Sequence, residues 1–356
     1  MRPRLPRWAR IAIETVGLGL LVLLFVRILD REEVLGHLQR ITVRTVAGVL
    51  AFQLLIQALG TFQWALVLRE AGIFRGAWRA FTARIAGFAV TYLTPSMYFG
   101  GEPVRASVYK AASMSYRRLY ATIVLDKYIE LSTKFPCIIA GFAILVVLIR
   151  PSIALVSVVG AVLAFFLGVF VLLVARLFNR PDLVARLTKR LARPVARLNR
   201  RLAVKMIVVM KEFARDVAGI MAHRRVFYLA MLTGVAVSVV EVLQTFFILG
   251  EIDPAWQAVE LLVRSFAIFA TVFVQALVGL LPGNLGGMEG THLVIFNVLG
   301  IGSARSLIYT IILRIGQMGV VLLGIVSIVA WRAWRAGRSG NPAEGRKGAD
   351  RNRTDA

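Results

Sequence analysis

The chain has 356 residues, 58% of them hydrophobic, and a mean hydropathy of +0.74. That excludes a soluble protein of this length and makes it a polytopic membrane protein. Its 43 basic residues against 19 acidic give a net charge of +24. They fall between the apolar runs, as the positive-inside rule requires and a nucleic-acid surface does not, so no nucleic-acid partner is expected.

Arg2, Arg4, Arg7 and Arg10 precede the first apolar run, Ile11 to Leu29, which is long enough to span and has no clear small-residue cleavage site. It reads as a retained anchor helix with a cytoplasmic N-terminus. Asp30 to Arg44 is then a charge-balanced outer loop, and Val46 to Leu68 returns to the cytoplasmic side at Arg69, Arg75 and Arg79. Phe81 to Phe99 is apolar but ends at a break spanning Pro95 to Glu102, with Arg105, Lys110, Arg117 and Arg118 after it. Basic flanks at both ends predict a re-entrant hairpin opening to the cytoplasm, its broken backbone covered by protein or a wet cavity. Leu119 to Ile149 makes about 46 Å of helix, more than the ~30 Å hydrocarbon core. Within it Asp126 and Glu130 share a face beside Lys127, and Pro136 lies deeper.

Ile153 to Ala175 comes back inward, leading into a linker over 176–225 with 14 Lys or Arg. Its apolar spacing fits either an amphipathic helix on anionic inner-leaflet lipids or a solvated basic connector. Val226 to Leu249 crosses outward with Glu241 inside it, and Gly250 to Gln257 has two acids and no base, as an outer loop should. Val259 to Leu281, a break, and Thr291 to Leu299 form a second hairpin opening outward. Ser306 to Trp331 is the last span, and 332–356 reads as a disordered cytoplasmic tail.

The two breaks look alike. At an offset of 187 residues Leu93 matches Leu280, Pro95 matches Pro282, Gly100 matches Gly287 and Glu102 matches Glu289. Further out, Gln57 matches Gln244 and Lys127 matches Arg314. The predicted fold is therefore an all-α polytopic membrane protein of two inverted repeats, each with three transmembrane helices and one re-entrant helical hairpin. Repeat one covers about 11–150 and repeat two about 153–331. Pro95, Gly100, Gly101, Pro282, Gly283, Gly286 and Gly287 make the hairpin turns, permitting sharp bends and close approach.

Pro95 to Arg105 (P-x4-G-G-E-P-x-R) and Leu281 to Glu289 (L-P-G-x-L-G-x-x-E) resemble motifs of the lysylphosphatidylglycerol synthetase transmembrane-region family, a flippase-like membrane module. The resemblance covers 1–331 as one flippase-like domain. It implies translocation of a phospholipid or lipid-linked sugar, with the two hairpins meeting at the substrate path. Relatives that make aminoacylated lipid carry a large soluble synthase domain, whereas a short tail follows Trp331 here, so synthase activity is not carried over.

A charge at mid-bilayer costs about 2.5 to 3.5 kcal/mol on insertion scales, so Glu241, Arg264, Glu289 and Arg314 must face a cavity or one another. Glu102 and Glu289 are candidates for binding a headgroup or proton, or for capping the broken backbone. Lys127 and Arg314 are candidates for capturing a lipid phosphate, or for pairing with the hairpin acid of their own half. Arg105 suits a phosphate at headgroup level, or snorkels there. Glu130 and Glu241 complete the candidate substrate-binding set, with Glu241 either a proton carrier or a buried carboxylate hydrogen-bonded to Gln244 or a neighbouring helix.

No cofactor is expected. Cys137 is a lone core cysteine, His37, His223 and His292 are far apart, and no G-x-x-x-x-G-K loop for ATP is present. The expectation is a lipid transporter of the cell (inner) membrane, not an enzyme, with both termini cytoplasmic. The alternatives are a membrane enzyme that modifies or glycosylates a lipid, and a non-catalytic subunit of a lipid-synthase complex. A homo-oligomer and a lipid-synthase partner both stay open.

Overall fold

A computed structural model describes residues 41–94, 100–111, 113–149, 200–272, 274–275 and 282–339, with four single positions in the central segment. All regular structure among them is helical. The runs Ile11 to Leu29 and Ile153 to Ala175, the turn residue Pro95 and most of the linker lie outside the described residues.

Helix α1 (Val43–Glu70) starts where the Thr42 hydroxyl accepts the Thr45 N–H at 3.2 Å, and it ends at Ala71, just before Gly72 with φ 67°. Short α2 (Ala77–Leu93) leads into the first break, and α3 (Glu102–Tyr109) opens with an acid and a proline in its first turn, both suited to a helix N-terminus. Then come α4 (Tyr116–Ile149), α5 (Arg200–Ala222), α6 (Arg224–Ile252) and α7 (Ala258–Phe269). A 3₁₀ turn over Pro282–Asn284 precedes α8 (Gly287–Val298) and α9 (Ser303–Ser339). By length and composition α1, α4, α6 and α9 can each cross a membrane. The chain is a multi-pass membrane protein whose outer surface is built from apolar side chains. On α6, Tyr228, Leu232, Val235, Val239 and Leu243 form an exposed stripe at helical spacing.

The interior is layered around α1 and α6, which pack on each other and carry inward-facing polar residues: Gln53, Gln57 and Gln63 on α1, Gln244 and Thr245 on α6. Helix α2 packs on α9 and α7 on α4. Both contacts are backbone-close. A Cβ at Gly324 of α9 would overlap the Ile85 carbonyl of α2, and one at Gly141 of α4 the Phe266 carbonyl of α7. Apolar clusters flank the polar centre, one around Trp64, Tyr109, Leu119 and Ile123, the other around Ile248, Ile268, Phe296 and Ile308.

Helix α3 folds back along α2. Arg79 Nη2 donates to the Lys110 carbonyl at 2.8 Å near one end, and near the other Gly87 and Gly101 meet so closely that no Cβ fits at Gly101. Within the apolar run from Val259, α7 stops at Phe269, where the Ala270 N–H turns back to Phe266 and Ile268. One expected segment differs. Helix α9 runs on to Ser339, so residues 332–339 are helical rather than tail. The Trp-Arg-Ala-Trp-Arg-Ala sequence there has no breaker, and bases at a helix C-terminus suit its dipole.

Candidate functional site

A cavity of about 260 Å³ opens between α1, α2, α4, α6, the starts of α3 and α8, and α9. Thr94, Gly101 and Glu102 from the first break line it, as do Gly283, Asn284 and Met288 from the second. Residues about 187 apart in sequence thus share one chamber. Gln57 and Gln244, matched by the same offset, both line it, and Gln53 Nε2 donates to Gln244 Oε1 at 3.1 Å across the α1–α6 contact.

The second break is held by its own side chains. Gly283 (φ 64°) and Gly286 (φ 80°) take left-handed backbone that other residues avoid, which is why this run is glycine-rich. Glu289 Oε2 accepts the Gly286 N–H at 2.8 Å, and Oε1 accepts Arg314 Nε at 2.7 Å. Arg314 Nη1 donates to the Gly283 carbonyl at 3.0 Å and to the Tyr92 hydroxyl at 2.8 Å, reaching the C-terminal end of α2. Glu289 and Arg314 therefore form the backbone cap and the same-half ion pair. Together they tie the second break to the end of α2.

The first half does not repeat this pairing. Lys127 Nζ pairs with Glu130 Oε2 at 3.1 Å, one turn along α4, rather than with Glu102. Glu102 lines the cavity, and its buried Oε2 has no hydrogen-bond partner among the described residues. Arg105 turns inward. It is 5% exposed, donates to Asp126 Oδ2 at 2.7 Å and rests over the Trp64 ring at 3.7 Å. A guanidinium one helical turn into α3 can fold inward only because Asp126, wholly buried, meets it. Arg84 Nη1 reaches the same oxygen at 3.1 Å, and Gln63 Nε2 donates to Oδ1 at 2.9 Å. This network joins α1, α2, α3 and α4 through one carboxylate.

Glu241 takes Lys134 Nζ of the neighbouring helix α4 at 2.6 and 2.7 Å, the second of its two expected partners rather than Gln244. Arg264 is held by Glu260 on its own helix at 2.5 Å and lies over the Trp256 ring. Of the sequence candidates, Glu102, Arg105, Lys127, Glu130 and Glu241 line the cavity, whereas Glu289 and Arg314 are not in its lining and instead brace its edge, Arg314 through the lining residues Tyr92 and Gly283 and Glu289 through Arg314. Arg84, Asp126 and Lys134 were missed as site residues. Lys134 lies four residues past Glu130 on the same helical face, and Arg84 is a lone base inside an apolar run. Both signals were readable. His292, one of the scattered histidines, also lines the chamber, bonded to Gln275 at 2.9 Å and Thr310 at 2.8 Å. Among the described residues no three His, Cys, Asp or Glu side chains gather as metal ligands.

The chain matches the family model described as the lysylphosphatidylglycerol synthase TM region over residues 8–324. It is 27% identical over 338 residues to a UPF0104 membrane protein of Methanothermobacter thermautotrophicus, covering 88% of this chain and 93% of that protein. No solved structure matches.

Proposed function

This chain belongs to the lysylphosphatidylglycerol synthase TM-region family, and on that premise we propose that it moves a phospholipid or lipid-linked sugar across the bilayer without covalent chemistry. The observation that carries the reading is a chamber lined by Lys127, Glu130, Lys134 and Glu241 inside a bundle whose outer faces are apolar. Charged groups are kept at membrane depth where they meet a polar passenger or one another. The acyl chains would stay in lipid beside the apolar helix faces while the headgroup passes inside.

The reading includes two inverted repeats with a re-entrant hairpin in each. In its support, the offset of 187 carries α1 onto α6, α2 onto the segment containing α7, α3 onto α8, and α4 onto α9. Every packed pair in this set has its counterpart packed too: α2 with α9 mirrors α7 with α4, and α1 with α9 mirrors α6 with α4. The fold-back of α3 along α2 is the shape a hairpin entering and leaving on one side must have. Both termini and the linker 176–225 would be cytoplasmic, with α5 against the anionic leaflet.

The test is movement of an acyl-chain-labelled phospholipid in vesicles containing the purified protein. Label beyond the outer-leaflet share should become accessible to an impermeant quencher. Vesicles with folded protein that keep the protein-free value would overturn the reading and favour the enzyme or partner-subunit alternatives. Orientation has its own check: Arg190→Cys and Gly345→Cys variants should resist impermeant thiol reagents in intact cells and label after lysis. Labelling from outside at either position would reverse the topology.

A further inference from the structure

We propose that the headgroup this cavity accepts is zwitterionic, one phosphate beside one ammonium, and that Lys127, Glu130, Lys134 and Glu241 form a ladder of alternating charge along which it passes. The inference rests on the reading of the cavity as a lipid path. Lys127, Glu130 and Lys134 are spaced three and four apart on α4 and so share one face, where all three line the chamber. Lys127 Nζ is 3.1 Å from Glu130 Oε2, and Lys134 Nζ is 2.6 Å from Glu241 Oε1 on the facing helix α6. The order is plus, minus, plus, minus over two turns, about 10 Å of rise. These four side chains are 15 to 25% exposed, so they face the chamber and are not sealed behind its wall.

The charges also close on themselves. Four cations, Arg84, Arg105, Lys127 and Lys134, face Glu102, Glu130 and Glu241, and Asp126 lies just behind the wall against the two arginines. Among the described residues the sum is zero, and the edge pair Arg314 and Glu289 adds nothing to it. An anionic headgroup entering such a chamber would bring an uncompensated charge to membrane depth. A zwitterion would not. Its phosphate takes a lysine ammonium and its own ammonium takes the carboxylate released, so each ion pair opened is replaced by two and the chamber stays neutral. Because the signs alternate, the next step along α4 offers the same exchange again. Glu102, whose buried Oε2 has no partner among the described residues, is the acid that an ammonium would complete at the first break.

The test compares acyl-labelled phosphatidylethanolamine with phosphatidylglycerol, which share a glycerophosphate and differ in the amine, in vesicles of otherwise identical composition. Wild-type protein is expected to move the ethanolamine lipid at least about tenfold faster, an ordinary margin for one well-placed charge pair. Glu241→Gln leaves Lys134 uncompensated and should shift the rate ratio toward phosphatidylglycerol by about tenfold. A loss of folded protein would not produce that change of ratio. Glu130→Gln is the second variant, with the same expected direction. Phosphatidylglycerol moving as fast as, or faster than, phosphatidylethanolamine in wild type would overturn the headgroup inference while leaving the lipid path standing. If neither label moves, the path reading falls, and thermal stability in detergent with short-chain lipids decides the rest. A larger rise in Tm with the ethanolamine lipid sustains a zwitterion site, and equal shifts overturn it.

Discussion

Asp126→Asn is expected to destabilise the folded protein by about 3 to 5 kcal/mol, the range for breaking a buried ion pair from one side. Asp126 is wholly buried and receives Arg84 at 3.1 Å and Arg105 at 2.7 Å. The change keeps the side-chain shape and removes the charge, leaving two largely buried guanidinium groups without the carboxylate they share. Arg105 keeps the Trp64 ring, but a cation–π contact is worth roughly 2 kcal/mol when desolvated and does not replace a carboxylate. The four helices tied at this residue should loosen together. The measurement is the thermal midpoint in detergent with the yield of monodisperse protein. Adding Arg105→Met to Asp126→Asn should recover part of the loss, since one stranded cation then goes with its partner. An unchanged midpoint in the single variant would show that the network does not hold the fold.

Arg314→Ala is expected to stop lipid movement per folded molecule, with a smaller cost in stability. Arg314 touches Glu289, the Gly283 carbonyl and Tyr92, so removing it cuts the charged ties that hold the second break to α9 and to the Tyr92 hydroxyl of α2. A hydrogen bond to a charged group contributes about 1.5 to 3 kcal/mol, and that range sets the stability loss. Glu289→Gln should act in the same direction but less, because an amide oxygen still accepts the Gly286 N–H. Rates must be divided by the amount of folded protein. Movement per folded molecule equal to wild type in both variants would remove the two breaks from the path. A loss fully accounted for by missing protein would leave Glu289 and Arg314 as scaffold alone.

These expectations rest on residues whose roles separated only in three dimensions. Glu102 and Glu289 occupy equivalent places in the two motifs, yet Glu289 is saturated by a backbone N–H and an arginine while Glu102 Oε2 has no partner among the described residues. Lys127 and Arg314 are likewise equivalent in sequence and differ in reach. The shorter lysine takes the acid one turn along its own helix, whereas the forked guanidinium spans three acceptors on three segments. Arg105, four positions past the glycine pair, gives no hint in sequence that its charge turns inward.

The sequence by itself determined that this is a multi-pass helical membrane protein, where four of its apolar helices run, that both breaks carry an acid, and which family it belongs to. Those properties are local: hydropathy over about 20 residues, Gly and Pro at turns, and motif spacing are set by neighbours along the chain. Only the tertiary structure decided that the two breaks share one chamber, that Asp126 gathers Arg84 and Arg105, and that Lys134 pairs with Glu241. Ion pairing inside a membrane is chosen by distance between helices. The 107 residues separating Lys134 from Glu241 say nothing about a contact of 2.6 Å, because the low-dielectric interior rewards whichever opposite charges the packing brings within reach.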